Sequence, residues 1–280
     1  MRLVWTTDPH LNHAPMPAWE RWVEAISRER PDGLVITGDI SEADDVTFQL
    51  IRLAESLAIP IYFVLGNHDF YQRSIAETRR QVIELCRGMP LLDYLTDRRP
   101  IELDDDAFLL GDDGWGDATQ GDFDASPVRL NDFRLIDDFR NADPASWQAL
   151  LVDQGRHSAE RLREKIDSLP GSTRHVIVAT HVPPFRDACW YQGRTTDDLW
   201  APFFVCGAVG EVLQNASRRR PECRFRVLCG HTHHRGTAQL TENLTVHTGA
   251  AEYGVPAVEA TLVVSPGASE LFDRREAPSE

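Results

Sequence analysis

The sequence predicts an α/β fold with a largely parallel β-sheet. Two observations carry this prediction: five short apolar runs rich in β-branched residues stop abruptly at Asp, Asn or His, and segments with helical periodicity lie between them. Short apolar runs without polar alternation indicate strands that are buried on both faces. Strands that alternate with helices are typical of βαβ units, whose strands run parallel.

The first half of the chain contains three of the apolar runs and two helices. The runs LVWTTD, GLVITGD and IYFVLGNHD occupy residues 3–8, 33–39 and 61–69, and the predicted helices at 17–29 and 43–57 separate them. Each helix has an apolar face of residues three or four positions apart. These faces consist of Trp19, Trp22, Val23 and Ile26, and of Val46, Leu50, Leu53 and Leu57.

The second half begins with a helical region at 144–169, which precedes the runs HVIVATH and FRVLCGH. Residues 236–264 read as successive strands with turns at TEN and YGVP, so this part of the sheet is expected to be antiparallel or mixed. We expect residues 1–265 to form one domain. Residues 266–280, PGASELFDRREAPSE, are expected to form a weakly ordered tail.

Length and charge restrict the class of function. A chain of 280 residues with 42% hydrophobic content can bury a sizeable core. The net charge of −15 and the single lysine, Lys165, argue against a nucleic-acid partner. The N-terminal apolar run is too short for a signal peptide or a membrane span, and five cysteines without a CxxC pair suit reduced thiols. We therefore expect a cytoplasmic protein with no membrane partner and leave its oligomeric state open.

The polar residues that end the five runs are expected to converge. In open α/β sheets, ligands bind outside the carboxyl ends of the strands. The residues placed there are Asp8, Asp39, Asn67, His181 and His231. They are far apart in the sequence, yet the fold would bring them to one edge of the sheet.

Two further histidines enlarge this set. Asp8 and His10 are two positions apart, as are His231 and His233, so in extended segments each pair would point to the same side. Two carboxylates, an amide oxygen and four imidazoles are too many donors for one tetrahedral zinc ion. They suffice for two metal ions, with water in the remaining positions.

These residues stand in motifs that resemble those of the calcineurin-like metallophosphoesterase family. The motifs D-x-H, G-D, G-N-H-D, T-H and G-H-x-H occur in the order typical of the family and span residues 8–233. The resemblance implies a four-layer α/β/β/α sandwich with mixed β-sheets. It also implies a metal site at the carboxyl ends of the strands.

The resemblance further implies a role for each motif residue. The ligands of the first metal would be Asp8, His10, Asp39 and His233. The ligands of the second would be Asp39, Asn67, His181 and His231. His68 would face the substrate and protonate the departing oxygen, with Asp69 hydrogen-bonded behind it. A hydroxide bridging the two metals would attack phosphorus in line.

The implied function is hydrolysis of a small soluble phosphodiester or phosphomonoester. Two alternatives remain open: a non-catalytic metal-binding scaffold of the same fold, and a nuclease that acts on nucleic-acid ends. Retention of the ligands and of His68 favours the enzyme, and the acidic charge disfavours the nuclease. Mixed His, Asp and Asn ligands suit Mn or Fe, which we expect, and also Zn, Ni or Co.

Residues 111–142 form an insertion that is too long for an ordinary connection and could act as a lid. In that case its polar and aromatic residues would line the substrate entrance. These are Asp112, Asp113, Trp115, Asp117, Asn131 and Asp132. The alternative is a solvated acidic insertion in which Trp115 and Phe133 form a small core of their own.

A second candidate segment for substrate contact follows His181 and reads VPPFRDACWYQGRTTDDLW. It offers two arginines that could pair with phosphate and two aromatic rings that could stack on an organic group. The residues are Arg186, Trp190, Tyr191 and Arg194. The alternative is that this loop simply packs against the sheet.

Overall fold

The computed structural model describes residues 1–265 and 268–273. The α-helices in these residues are α1 (Met16–Arg28), α2 (Asp45–Leu57), α3 (Ile75–Gly88), α4 (Asp132–Leu135), α5 (Asp137–Arg140), α6 (Trp147–Asp167), α7 (Ala201–Phe204) and α8 (Gly207–Arg219). The strands of the first half are β1 (Arg2–Thr6), β2 (Gly33–Thr37), β3 (Ile61–Val64), β4 (Leu92–Tyr94), β5 (Ile101–Asp104) and β6 (Ala107–Gly111). Those of the second half are β7 (His175–Ala179), β8 (Trp190–Tyr191), β9 (Arg194–Thr195), β10 (Arg224–Cys229), β11 (Gly236–Thr241), β12 (Leu244–Thr248), β13 (Ala260–Ser265) and β14 (Ala268–Asp273).

The strands build two six-stranded sheets. The first sheet has the order β14-β13-β1-β2-β3-β4, and β1 to β4 run parallel. The second has the order β11-β12-β10-β7-β6-β5, and its four inner strands also run parallel. Antiparallel strands lie at one edge of the first sheet, where β13 and β14 follow β1, and at both edges of the second sheet, so both sheets are mixed. A separate hairpin pairs β8 with β9.

The sheets stack face to face between two helical layers. Leu3 and Trp5 of β1 face the second sheet, where Ile177 of β7 packs in the same apolar cluster. The intervening Val4 faces the helices of the first layer, in a cluster with Trp22 of α1. Since successive side chains of a strand point to opposite faces, one strand serves two layers. The predicted four-layer α/β/β/α architecture is therefore confirmed.

The helices differ in how well the sequence predicts them. α1 and α2 lie where the apolar periodicity places them, α6 lies in the predicted helical region, and Trp19, Trp22 and Ile26 of α1 are buried. The helices not predicted from the sequence are α3, α8 and the four-residue helices α4, α5 and α7. On α3 the buried residues include the polar Thr78, and most other positions are charged or polar, so few apolar residues mark its buried face.

The insertion at 111–142 is folded into the protein. The carboxylates of Asp112, Asp113 and Asp117 are buried, and Asp112 accepts two hydrogen bonds from Arg161 at 2.7 and 2.9 Å. The expectation of a solvated acidic insertion is therefore wrong for these three residues. The rings of Trp115 and Phe133 are buried too, but in the main helix-side core rather than in a core of their own.

The C-terminal segment departs from the expected tail. Residues 268–273 form β14, which pairs antiparallel with β13 along its whole length. The rest of the segment expected to be a tail, residues 266–267 and 274–280, lies outside the described residues. No helix among the described residues is long and apolar enough to cross a membrane.

Candidate metal centre

The structure brings all seven predicted metal ligands together at the carboxyl ends of five strands. Both sheets contribute. The first sheet supplies Asp8, His10, Asp39 and Asn67, which follow β1, β2 and β3. The second supplies His181, His231 and His233, which follow β7 and β10. The site therefore lies at the seam between the two sheets.

One group of donor atoms consists of Asp8, His10, Asp39 and His233. A ligand atom from each lies within 4.8 Å of all the others. His10 Nε2 is 3.1 Å from His233 Nε2 and 3.6 Å from Asp39 Oδ2, and His233 Nε2 is 3.5 Å from Asp8 Oδ1. Two imidazoles and two carboxylates at this spacing can hold one metal ion.

A second group of donors lies on the other side of Asp39. His181 Nε2 is 3.1 Å from Asn67 Oδ1 and 3.1 Å from His231 Nδ1. It is 3.5 Å from Asp39 Oδ1. The two oxygens of the Asp39 carboxylate thus face different groups, which is the geometry required of a ligand shared by two ions.

The hydrogen bonds of the rings show that this second group suits a cation. His181 Nδ1 lies 2.9 Å from the carbonyl oxygen of Thr37, and His231 Nε2 lies 3.2 Å from that of Phe203. A carbonyl can only accept, so each ring carries its proton on that side. The nitrogens that face each other, together with Asn67 Oδ1, then present lone pairs. Three converging lone pairs repel one another unless a cation lies between them.

Burial keeps His10 and His231 in the neutral form that binds metals, whereas the pKa of His233 is raised because the hydrogen bond and charge of Asp8 outweigh its burial. Desolvation lowers the pKa of His10 to about 4, and desolvation together with the neighbouring His181 lowers the pKa of His231 to about 3. For Asp39, burial opposes ionisation, but the surrounding histidines, His181 foremost, hold its pKa below the ordinary value. Neutral imidazoles around an ionised carboxylate are the protonation states that a metal ion requires.

The ligands reach the site through left-handed backbone, not through the extended backbone expected from the sequence. Five of them have positive φ: Asp8 (45°), His10 (40°), Asp39 (50°), His231 (69°) and His233 (57°). This conformation costs a non-glycine residue about 1–2 kcal/mol. Such strain collects at functional sites, where the surrounding structure holds it. The expectation of extended pairs was wrong because the strands end before the ligands.

Two motif glycines are required by close packing against ligands from other motifs. A Cβ at Gly66 would lie 2.2 Å from Asp39 Oδ1, and a Cβ at Gly230 would lie 2.0 Å from Asp8 Oδ2. No side chain fits at these distances. The glycines of G-N-H-D and G-H-x-H therefore allow the loops of different strands to approach closely enough for their ligands to meet.

His68 lies at the mouth of the site. Its backbone N–H donates to Asp39 Oδ1 at 2.9 Å, its ring packs on Tyr71 with centroids 4.4 Å apart, and its Nδ1 is 3.5 Å from Glu42 Oε1. Asp69 does not bond to this ring. Its two oxygens instead accept from the backbone N–H groups of Ser41 and Gly66 at 2.9 and 2.8 Å. The expected contact of Asp69 with His68 is absent because the carboxylate is buried beneath the loops.

A cleft of about 730 Å³ opens over the two donor groups. Three of the five predicted substrate-contact residues, Trp190, Tyr191 and Arg194, line it. Trp115 is buried in the core between Phe70 and Phe139, and so does not reach it.

Arg186 does not line the cleft either. Its Nη1 lies 2.6 Å from Asp198 Oδ1, and the two residues form an ion pair within one loop. This ion pair holds the guanidinium of Arg186 against its own loop. The prediction that Arg186 and Trp115 contact the substrate directly is therefore not supported by their positions.

Two residues of the site were not predicted from the sequence, and a third makes a contact beyond the predicted one. Tyr253 packs on His10 with ring centroids 4.4 Å apart and is half exposed in the cleft. Glu42 lies beside His68, and Asp132, expected only at the entrance, bonds directly to Asn67. Nothing in the sequence marks Tyr253 beyond its place in a turn, because the ring on which it packs most closely, His10, belongs to a motif near the other end of the chain.

Comparisons with known proteins agree with this geometry. The family model for calcineurin-like phosphoesterases matches residues 1–235. Among solved structures, phosphopantetheinyl hydrolase from Mycobacterium tuberculosis superposes with a TM-score of 0.66 at 15% identity, covering 99% of this chain and 98% of that one. A dimetal phosphatase from Danio rerio gives a TM-score of 0.63 at 12% identity, covering 98% and 96%. No curated protein sequence matches the chain significantly.

The two structural neighbours share the fold of this chain. Their sequence identities are too low to support any statement about a shared activity. The family model decides the assignment, because it covers most of the chain and includes every residue of both donor groups. This chain belongs to the calcineurin-like phosphoesterase family.

Proposed function

We propose that this protein hydrolyses a small soluble phosphodiester or phosphomonoester with two metal ions. The observation that carries the proposal is the position of Asp39, whose two oxygens face separate donor groups 3.6 Å from His10 and 3.5 Å from His181. A scaffold without catalysis would not need His68, which contacts the substrate cleft and stands outside both donor groups.

The residues of the chain divide the chemistry between them. Two bound dications lower the pKa of water and neutralise charge on the phosphoryl oxygens. Asp8, His10, Asp39 and His233 would hold one ion, and Asn67, His181 and His231 would hold the other together with Asp39. His68 would give its proton to the departing oxygen, since an imidazole can donate at neutral pH. The mixed nitrogen and oxygen donors support manganese or iron.

The cleft supports a substrate with a small organic group. The rings of Tyr191, Trp200 and Tyr253 are about half exposed along its walls, and Arg194 adds a cation. Rings of this kind stack on planar or apolar groups, and an arginine pairs with phosphate. A net charge of −15 disfavours the long polyanion that a nuclease must bind.

We also propose a cytoplasmic location. The five cysteines all lie in the described part of the chain and are free thiols, and four of them are buried. Disulfides are rare where thiols are kept reduced, and a chain exported to an oxidising compartment commonly uses its cysteines in pairs.

The test is a substrate screen on metal-free protein reloaded with Mn²⁺. The panel contains aryl phosphodiesters, aryl phosphomonoesters and cyclic nucleotides. A phosphopantetheinyl phosphodiester is added because one structural neighbour bears that name. We expect turnover of at least one class, with no activity and less bound metal for Asp39→Ala.

His68→Ala separates catalysis from metal binding. We expect it to keep both ions and to lose about 100-fold to 10,000-fold in kcat. His157→Ala, on the exposed face of α6, is the matched control and should behave as wild type. A fully loaded wild-type protein that is inert on the whole panel would support the scaffold instead. Full activity and full metal content in Asp39→Ala would contradict the two-metal mechanism.

A further inference from the structure

A buried carboxylate of the insertion contacts a residue of the second donor group. Asp132, the first residue of α4, is 4% exposed. Its Oδ1 accepts a hydrogen bond from Asn67 Nδ2 at 2.9 Å and another from the hydroxyl of Tyr71 at 3.0 Å. One oxygen atom thus accepts hydrogen bonds both from Asn67, a member of the second donor group, and from Tyr71, which packs on His68.

The bond to Asn67 fixes which end of the amide faces the second donor group. An amide has one end that only donates and one that only accepts. Because Asp132 takes the NH₂ end, Oδ1 points to His181 Nε2, 3.1 Å away. A half-turn of the amide would break the bond to Asp132 and direct N–H groups at the place where a cation would lie.

The bond to Tyr71 fixes the ring beside His68. Tyr71 is buried, and its ring lies 4.4 Å from the imidazole of His68 at an interplanar angle of 33°. With its hydroxyl held by Asp132, the tyrosine ring cannot swing away from His68. The same carboxylate oxygen therefore supports both a ligand of the second group and the histidine at the cleft mouth.

The place of α4 does not depend on these bonds. Phe133, the next residue, stacks on Trp147 of α6 with centroids 4.3 Å apart and an interplanar angle of 17°. It also meets Phe139 and Phe203 edge to face. Aromatic packing thus anchors the helix, and the Asp132 side chain is left to act on the site.

We infer that Asp132 is a positioning residue that orients Asn67 toward the second metal ion and holds Tyr71 against His68. The inference rests on the proposed two-metal site. It gives the insertion at 111–142 a role as a support of the centre instead of a lid. Residues that hold metal ligands in this way typically contribute 10-fold to 100-fold to metal affinity or activity.

The test measures Mn²⁺ binding to the full chain by equilibrium dialysis, alongside kcat. Asp132→Ala should leave the first ion bound and weaken the second by about 10-fold to 100-fold. Asp132→Asn keeps an oxygen at the same place and should restore most of the affinity. The matched control is Asp138→Ala, since Asp138 of the same insertion accepts from the backbone of Ile75 at 2.8 Å and touches neither donor group.

The outcomes are distinct. Wild-type affinity for both ions in Asp132→Ala, or an equal loss in Asp138→Ala, would overturn the inference, as would failure of Asp132→Asn to restore binding. If Asp132→Ala does not fold, Asp132→Ser, whose hydroxyl is too short to reach Asn67, makes the same comparison. Wild-type protein that binds two Mn²⁺ ions but cleaves no phosphate ester would contradict the proposed function alone.

Discussion

At the scale of single residues, burial controls the protonation of the site. The ring of His10 is fully buried, and its pKa of about 4 lies well below the ordinary 6.5. The unfolded chain therefore binds a proton at a higher pH than the folded protein does. The contribution of His10 to stability is complete above pH 6.5 and is lost as the pH falls toward 4. His231, with a pKa of about 3, acts in the same direction.

Metal-free protein should consequently lose stability in mild acid. Between about pH 6 and pH 4.5, each of these histidines should lower the free energy of unfolding by up to about 1.4 kcal/mol per pH unit. Urea unfolding in a chelator at several pH values measures this slope. His10→Asn, which removes one titrating group, should give a shallower slope, and an identical slope in the variant would refute the account.

Gly66 is the residue at which close packing can be tested. In Gly66→Ala the new methyl group would lie 2.2 Å from Asp39 Oδ1 and 2.5 Å from Asp39 N, so Asp39 must move. We expect weaker Mn²⁺ binding and a loss of about 1–3 kcal/mol in stability. Gly171→Ala is the control, because nothing lies within 4 Å of its added carbon. Equal Mn²⁺ affinity in the two variants would show that the loops tolerate the methyl group.

At the scale of elements, the β8–β9 hairpin divides its two aromatic residues between packing and exposure. The Trp190 indole covers Gly236, where an added Cβ would lie 2.2 Å from the ring. Tyr191 is 61% exposed and meets His234 edge to face. Tyr191 therefore fits the substrate-contact interpretation, whereas Trp190, which also lines the cleft, fits the packing interpretation as well.

Kinetics can separate these roles. Tyr191→Ala should raise KM for a substrate with a large organic group far more than for a small aryl phosphate, and should leave kcat unchanged, because Tyr191 supplies no donor atom to either group and its ring packs on His234. Trp190→Ala should lower the melting temperature as well. Phe48→Ala, an exposed aromatic residue on α2, is the control. Equal KM changes for both substrates would exclude Tyr191 from substrate selection.

At the scale of the molecule, the donor groups join the two sheets. Asp39 comes from the first sheet and His181 from the second, and the backbone N–H of His231 donates to Asp8 across the same seam at 3.0 Å. A metal ion bound here would cross-link the sheets in the folded state only. Ligands that bind only the folded state raise its stability in proportion to the logarithm of their concentration.

Metal removal should therefore lower the melting temperature. At a free Mn²⁺ concentration of 100 times Kd, binding adds about 2.7 kcal/mol, which corresponds to roughly 5–10 °C for a chain of this size. Scanning calorimetry with and without EDTA measures the shift. Asp39→Ala should abolish most of it. A wild-type melting temperature that does not respond to Mn²⁺ would contradict a metal site at the seam.

Much of the fold and the site could be predicted from local sequence. Strands that end in Asp, Asn or His, together with the rule that ligands gather at carboxyl ends, were enough to bring Asp39 and His181 together. The α3 helix was not predicted because few apolar residues mark its buried face. The β14 strand was not predicted because its sequence has no long apolar run, and its partner β13 is known only from the structure. Local patterns cannot carry information about such partners.

The sequence by itself determined which residues could bind metal and in what order they follow the strands. Only the tertiary structure decided how each one presents its donor atom. The left-handed backbone at His231, the ring nitrogen it presents and the orientation of Asn67 by Asp132 all depend on contacts between distant segments. The physical reason is that donor atoms have direction. A side chain's identity is fixed by its codon, but the direction of its lone pair is fixed by what the fold places behind it.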